Sequence, residues 1–134
     1  MSTIKFIVDW APGNYAACVG DDRMACVATG RTLDDVKYNI VDALRFHIEG
    51  MVMQGEPVPP EYLEEWTPEF HLTICAQLHY AGAYITRKAL ARETGINEAQ
   101  LCHYASGRKK PRPATRRKIL NGIQAISERL TTIL

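Results

Sequence analysis

The residues best suited to chemistry on a partner lie between Thr86 and Gly107. Asn97, Glu98, Ala99, Cys102, His103 and Ser106 share one face of a predicted helix whose opposite face carries Leu101 and Tyr104. On a helix lying in a DNA major groove, Asn97 and His103 can donate to or accept from base edges, and Glu98 can accept from a cytosine amino group. Arg87 and Lys88 open the preceding helix, and Arg108, Lys109, Lys110 and Arg112 follow just past the second one. Those cations stand where phosphates would be met. Phosphate contacts position a protein on a duplex, whereas base contacts specify the sequence, so the two sets are given separate roles.

That chemistry needs two helices held at a fixed angle, and the sequence supplies the means. Thr86 is a cap for a short helix with Leu90 and Ala91 on its inner side. Ala91 is small where two helices cross. Gly95 ends the first helix because the turn wants a residue that tolerates positive φ. Ile96 plugs the corner. Asn97 followed by Gln100 has capping-box spacing and starts the second helix, which Gly107 stops. Together these positions predict a helix-turn-helix. Cys75–Ala83 is expected to form a first helix, and a last one begins at Pro113. Its apolar stripe, Ile119, Leu120, Ile123, Ile126, Leu130 and Ile133, runs past what a small bundle needs and is expected to continue into a homodimer or higher oligomer.

Enzymatic chemistry is harder to assemble. Asp9 ends the first predicted strand, where ribonuclease-H-type metal nucleases keep a carboxylate, but such catalysis needs several carboxylates converging on divalent metal. Asp21 and Asp22 read as turn residues, and Asp34 and Asp35 as first-turn capping acids. The four histidines are scattered, and no Ser or Cys nucleophile stands in a recognisable setting. Cys18, Cys26, Cys75 and Cys102 lack metal spacing and read as mostly buried hydrophobes in a reducing compartment. No catalytic residue, metal or cofactor is expected.

The formal net charge of the 134 residues is +1, but its distribution is uneven. Residues 1–70 carry Lys5, Arg23, Arg31, Lys37 and Arg45 against twelve acids, net −7, and residues 71–134 carry eleven cations against Glu93, Glu98 and Glu128, net +8. Two modules with oppositely charged partners account for such a partition. Gly55–Pro60 holds three prolines and predicts an extended connector. Before it, Ile4–Asp9, Tyr15–Val19 and Met24–Thr29 predict an antiparallel meander, and a further strand is expected at about 69–74. Thr32 caps a helix whose stripe is Leu33, Val36, Ile40, Leu44, Ile48 and Met51. The expected fold is α+β: a small antiparallel sheet with one or more helices over 1–74, then an all-α helix-turn-helix domain over 75–134. No apolar run approaches the roughly 20 residues of a membrane helix, and a cytosolic protein is expected.

Essentially the whole chain resembles the HicB antitoxins of bacterial toxin–antitoxin modules. Strand, hairpin, then Ala28–Val36 leading into the long helix with Ala43 and Leu44 is similar to that family's partial ribonuclease-H-like domain. Thr94–Asn97 through His103–Gly107, with Lys110, Pro111 and Arg112 after it, is similar to its DNA-binding variant. The resemblance implies a catalytically silent N-terminal domain that binds and blocks a small, basic HicA-type ribonuclease toxin. It implies a C-terminal domain that represses the operon by binding double-stranded operator DNA. The alternative is a stand-alone DNA-binding regulator whose N-terminal module senses a ligand or only dimerises.

Overall fold

The computed structural model describes residues 1–134 and divides into two compact units, Met1–Thr73 and Ile74–Leu134. The chain is α+β, with a four-stranded sheet and five α-helices.

In the first unit, β1 (Ser2–Ala11), β2 (Asn14–Val19) and β3 (Val27–Gly30) form the antiparallel meander. Helix α1 (Leu33–Met53) follows, with the Thr32 hydroxyl accepting from the Asp35 amide and Asp34 and Asp35 in the first turn, where the helix dipole favours anions. Val36, Ile40, Leu44 and Ile48 are buried along its length, and so are Ile4, Phe6, Val8, Tyr15, Ala17 and Val19 of the sheet.

The sheet is mixed, not antiparallel. Its order is β3-β2-β1-β4, and β4 (Trp66–Leu72) runs parallel to β1, pairing Phe6 with Phe70 and Val8 with Leu72. A parallel return requires a long crossover, here the hairpin strands, α1 and the proline-rich segment. The last strand was expected at 69–74; it begins instead at Trp66, and Ile74 already opens the next helix. Pro68 is tolerated because β4 is an edge strand. Gly55–Pro60 therefore connects α1 to β4 within the first unit, ending in a 3₁₀ turn at Pro60–Tyr62.

Strand β3 starts at Val27, three residues later than the expected Met24. Met24 and Cys26 are buried in the loop that precedes it. A polar network shapes that loop. The Arg23 guanidinium donates to Asp21 at 2.8 Å and to Glu61 at 2.6 Å, and the Tyr62 hydroxyl donates to Asp21 at 2.6 Å. Those donors hold the Asp21 carboxyl well below the usual carboxylate range. Burial, and then donation to that carboxylate, push the Tyr62 hydroxyl well up.

The second unit is all-helical: α2 (Ile74–Ala81), α3 (Arg87–Thr94), α4 (Glu98–Ala105) and α5 (Pro113–Thr131). Helix α2 was expected at Cys75–Ala83; it starts one residue earlier and stops two sooner. Ile74, Leu78, Leu90, Leu101, Tyr104 and Ile119 are the core, with Ala91, Ile96, Leu120, Ile123 and Ile126 packed against it. Gly122 is buried where α5 passes α3, and a Cβ there would run into the Thr94 methyl. Thr94 cannot readily turn away, since its hydroxyl donates to the Leu90 carbonyl at 2.8 Å. The expected stripe of α5 is shorter than its sequence. Leu130 is 54 % exposed, and Ile133 lies beyond the helix in solvent.

Candidate nucleic-acid interface

Helices α3 and α4, eight residues each, are joined by Gly95, Ile96 and Asn97. The Thr86 hydroxyl caps α3 by accepting from the Ala89 amide at 3.0 Å. Gly95 sits in the left-handed region with φ 73°, which makes the sharp exit possible without side-chain strain. Ile96 packs on the core. Asn97 then accepts from the amides of Ala99 and Gln100 at 2.8 and 3.3 Å. The capping box is only half formed, because the Gln100 side chain reaches along α4 to donate to the Tyr104 hydroxyl. Leu101 and Tyr104 anchor α4 inward.

The six residues expected to read bases divide into two groups. Glu98, Ala99 and Cys102 are exposed and lie along one line of α4. Each of the other three has at least one polar atom engaged or buried. The Asn97 carbonyl is held by the helix it caps, although the residue is exposed. The Ser106 hydroxyl donates to the His103 carbonyl at 3.1 Å and accepts from the Arg108 amide. His103 is half-buried, and its Nδ1 is buried without a hydrogen-bond partner. The expectation that His103 presents its ring to a groove is therefore corrected in part: one ring nitrogen faces the protein.

The phosphate candidates divide similarly. Arg87 is half-buried and donates to the Leu78 carbonyl at 3.0 Å, so it ties α3 to the end of α2 rather than standing free. With burial, its charge lowers the pKa of His79. Lys88, Arg108, Lys109, Lys110 and Arg112 are exposed. The Lys109 amide donates to the His103 carbonyl at 3.2 Å, and Pro111 is buried, so the basic run is pinned to the end of α4 through its backbone while its charges project outward.

Arg117 and Lys118, in the first turns of α5, are also exposed and follow the basic run in the chain, although they are not among the expected phosphate ligands. The signal was present in the absence of any carboxylate between Glu98 and Glu128. Arg116 points elsewhere, donating to Gln77 at 3.0 Å. Arg129 pairs with Glu93 at 2.7 Å. Exposed cations without carboxylate partners can neutralise phosphates.

No three His, Cys, Asp or Glu side chains converge as a metal site would require. Asp9 is occupied structurally, accepting from the Thr73 hydroxyl at 2.6 Å and the Trp10 amide at 2.9 Å. Cys102 is exposed rather than buried, Cys18 and Cys75 are half-buried, and none of the four cysteines forms a disulfide; the Cys75 thiol donates to the Tyr104 carbonyl at 3.2 Å. No helix is long and apolar enough to cross a membrane. Comparison with family models, with curated proteins and with solved structures finds no match to this chain.

Proposed function

We propose that this chain is a binding protein with two partners, an antitoxin of the HicB type. On this reading the first unit captures a small cationic HicA-type toxin, and the second is a helix-turn-helix domain that represses transcription from operator DNA. The observation that carries it is the coincidence of charge with fold: the −7 and +8 segments meet at a stretch without charged residues, His71–Thr73, where one unit ends and the next begins. In support, the Thr86, Gly95 and Asn97 geometry sets two short helices at a sharp turn. Lys88, Arg108, Lys109, Lys110, Arg112, Arg117 and Lys118 are exposed, on the segments that precede and follow α4 in the chain. The order strand, hairpin, long helix is that of the partial ribonuclease-H-like resemblance, and the hydrogen-bonded Asp9 fits a domain that binds without cutting. The exposed apolar end of α5, at Leu130, suits pairing of two copies on a palindromic site.

The test has two arms. Fluorescence anisotropy of the full chain on a duplex from its own promoter should give nanomolar binding that weakens steeply with salt. Lys109→Ala with Lys110→Ala should lower the salt slope by about 2, since each phosphate contact contributes about 0.9. Co-expression with the short basic protein encoded next door should yield a complex retained by the first unit. Binding to neither DNA nor a neighbouring cationic protein would overturn the proposal. Binding to DNA alone would leave only a stand-alone regulator.

A further inference from the structure

The outer surface of α1 has an order that its packing role does not explain. Opposite the buried line of Val36, Ile40, Leu44 and Ile48 stand Asp35, Tyr38, Asp42, Phe46, Glu49 and Met53, all exposed. They follow one another at steps of three or four residues, the spacing of a single helix face, and alternate acid with large apolar side chain along about 27 Å. Tyr38 is 72 % exposed, Phe46 77 % and Met53 86 %. One such side chain in water is unremarkable, but three in register along one line form a surface suited to a partner.

The helix does not neutralise this line with its own cations. Lys37 leans over the Phe70 ring, 5.2 Å from its centroid, and Arg45 over Trp66 at 5.4 Å, both on β4. Arg23, elsewhere in the unit, is taken up by Asp21 and Glu61. No carboxylate of the line is in an ion pair. Charge then selects the occupant. A second copy laid on the same line would set carboxylates against carboxylates, and a nucleic acid would meet the same repulsion. A cationic protein surface, with lysines or arginines spaced around an apolar groove, satisfies both halves of the pattern.

We propose that the α1 line is the docking surface for the cationic protein partner, with Tyr38, Phe46 and Met53 as anchors and Asp35, Asp42 and Glu49 as the interleaved charges. This rests on the two-partner reading above and adds the place of contact. Exposed anchors that become buried at an interface are where binding energy concentrates, while flanking charges set orientation and encounter rate.

The experiment measures affinity between the full-length chain and the short cationic protein encoded beside it, by calorimetry. The double variant Tyr38→Ser with Phe46→Ser should bind at least about 30-fold more weakly, the loss expected for a central anchor. Asp42→Lys with Glu49→Lys should weaken binding about 10-fold or more, and more steeply at low salt. Asp22→Lys with Glu56→Lys makes the same change in net charge on exposed residues elsewhere in the unit. It should shift affinity less than about threefold. Should the serine variant unfold, the charge-reversal pair decides. A wild-type complex that tolerates both α1 variants overturns the docking line and leaves the two-partner reading standing. No wild-type complex overturns both. If the serine variant instead converts a dimer of this chain to a monomer in light scattering, the occupant is a second copy and the proposal is wrong.

Discussion

The two units treat their cations differently. In the first, Arg23 bridges two carboxylates, and Lys37 and Arg45 lie across aromatic rings. In the second, Arg87, Arg116 and Arg129 are bound to Leu78, Gln77 and Glu93, but a longer set from Lys88 to Lys118 projects into water. Identical side chains thus hold a fold together in one place and remain available for a ligand in another. What decides is whether an acceptor or a ring lies within reach inside the same unit. Net charge therefore understates the contrast. The acidic unit has spent most of its few positive groups internally, and the basic unit has surplus.

This contrast can be broken most sharply at the cores. Leu101 is fully buried in the middle of α4, and Leu101→Ala should cost about 3 kcal/mol and abolish the proposed DNA binding. Trp10 and Trp66 both lie in the first unit, so tryptophan fluorescence reports that unit alone, and its urea transition should stay in place. A matching shift in the tryptophan signal would show that the units do not unfold separately.

A pair of glycines tests the same point from both sides, at about 2 kcal/mol each. A Cβ at Gly30 would stand 2.5 Å from the Val36 nitrogen and 2.8 Å from its Cα, backbone atoms that cannot swing aside. Gly30→Ala should lower the tryptophan transition and spare DNA binding. Gly122→Ala, jammed against Thr94, should do the reverse.

Smaller effects sharpen the picture of α4. Asn97→Ala should cost about 1 kcal/mol through the lost cap, which would confound any reading of base preference. Asn97→Ser keeps a capping oxygen, so a change in operator preference with unchanged stability would assign the amide to the groove. No change in preference would leave Asn97 a cap only.

Acid should separate the units most gently. The Asp21 carboxyl is held down in the folded state, so its contribution is complete above the unfolded value of about 4 and is lost as pH falls below it. The folded value of His79 is lowered by burial and by Arg87, so the unfolded chain takes the proton first. The second unit should begin to lose stability below about pH 6.5. Urea midpoints followed by tryptophan and by helical circular dichroism at pH 7.5, 5.5 and 3.5 would resolve the two windows. Asp21→Asn should remove the first, and His79→Gln the second.

Local signals were legible in the sequence. Thr32, Thr86 and Asn97 cap the helices they precede, Gly95 makes the turn, and the buried residues of α1 and α4 follow their spacing. These features depend on residues a few positions apart. What the sequence did not disclose depends on distant partners. The direction of β4 and its start at Trp66 follow from pairing with β1, some 60 residues earlier, and Pro68 argues against a strand unless its edge position is known. The late start of β3 comes from Asp21 reaching Tyr62 and Arg23 reaching Glu61. In the candidate interface the residue types were readable but their commitments were not. Arg87 looks like a phosphate ligand until Leu78 is beside it, and His103 looks solvent-facing until its Nδ1 is found covered.

The parallel seam between β1 and β4 bears on how the polypeptide acquires its shape during synthesis. The first strand leaves the ribosome early but lacks one neighbour until Trp66–Leu72 has emerged, several seconds later at roughly 5–20 residues per second. In that interval one margin of β1, including Ile4, Phe6 and Val8, has open backbone donors and acceptors that other nascent chains can capture. A translational pause within the proline-rich segment would prolong the hazard, and prompt completion through Leu72 would end it.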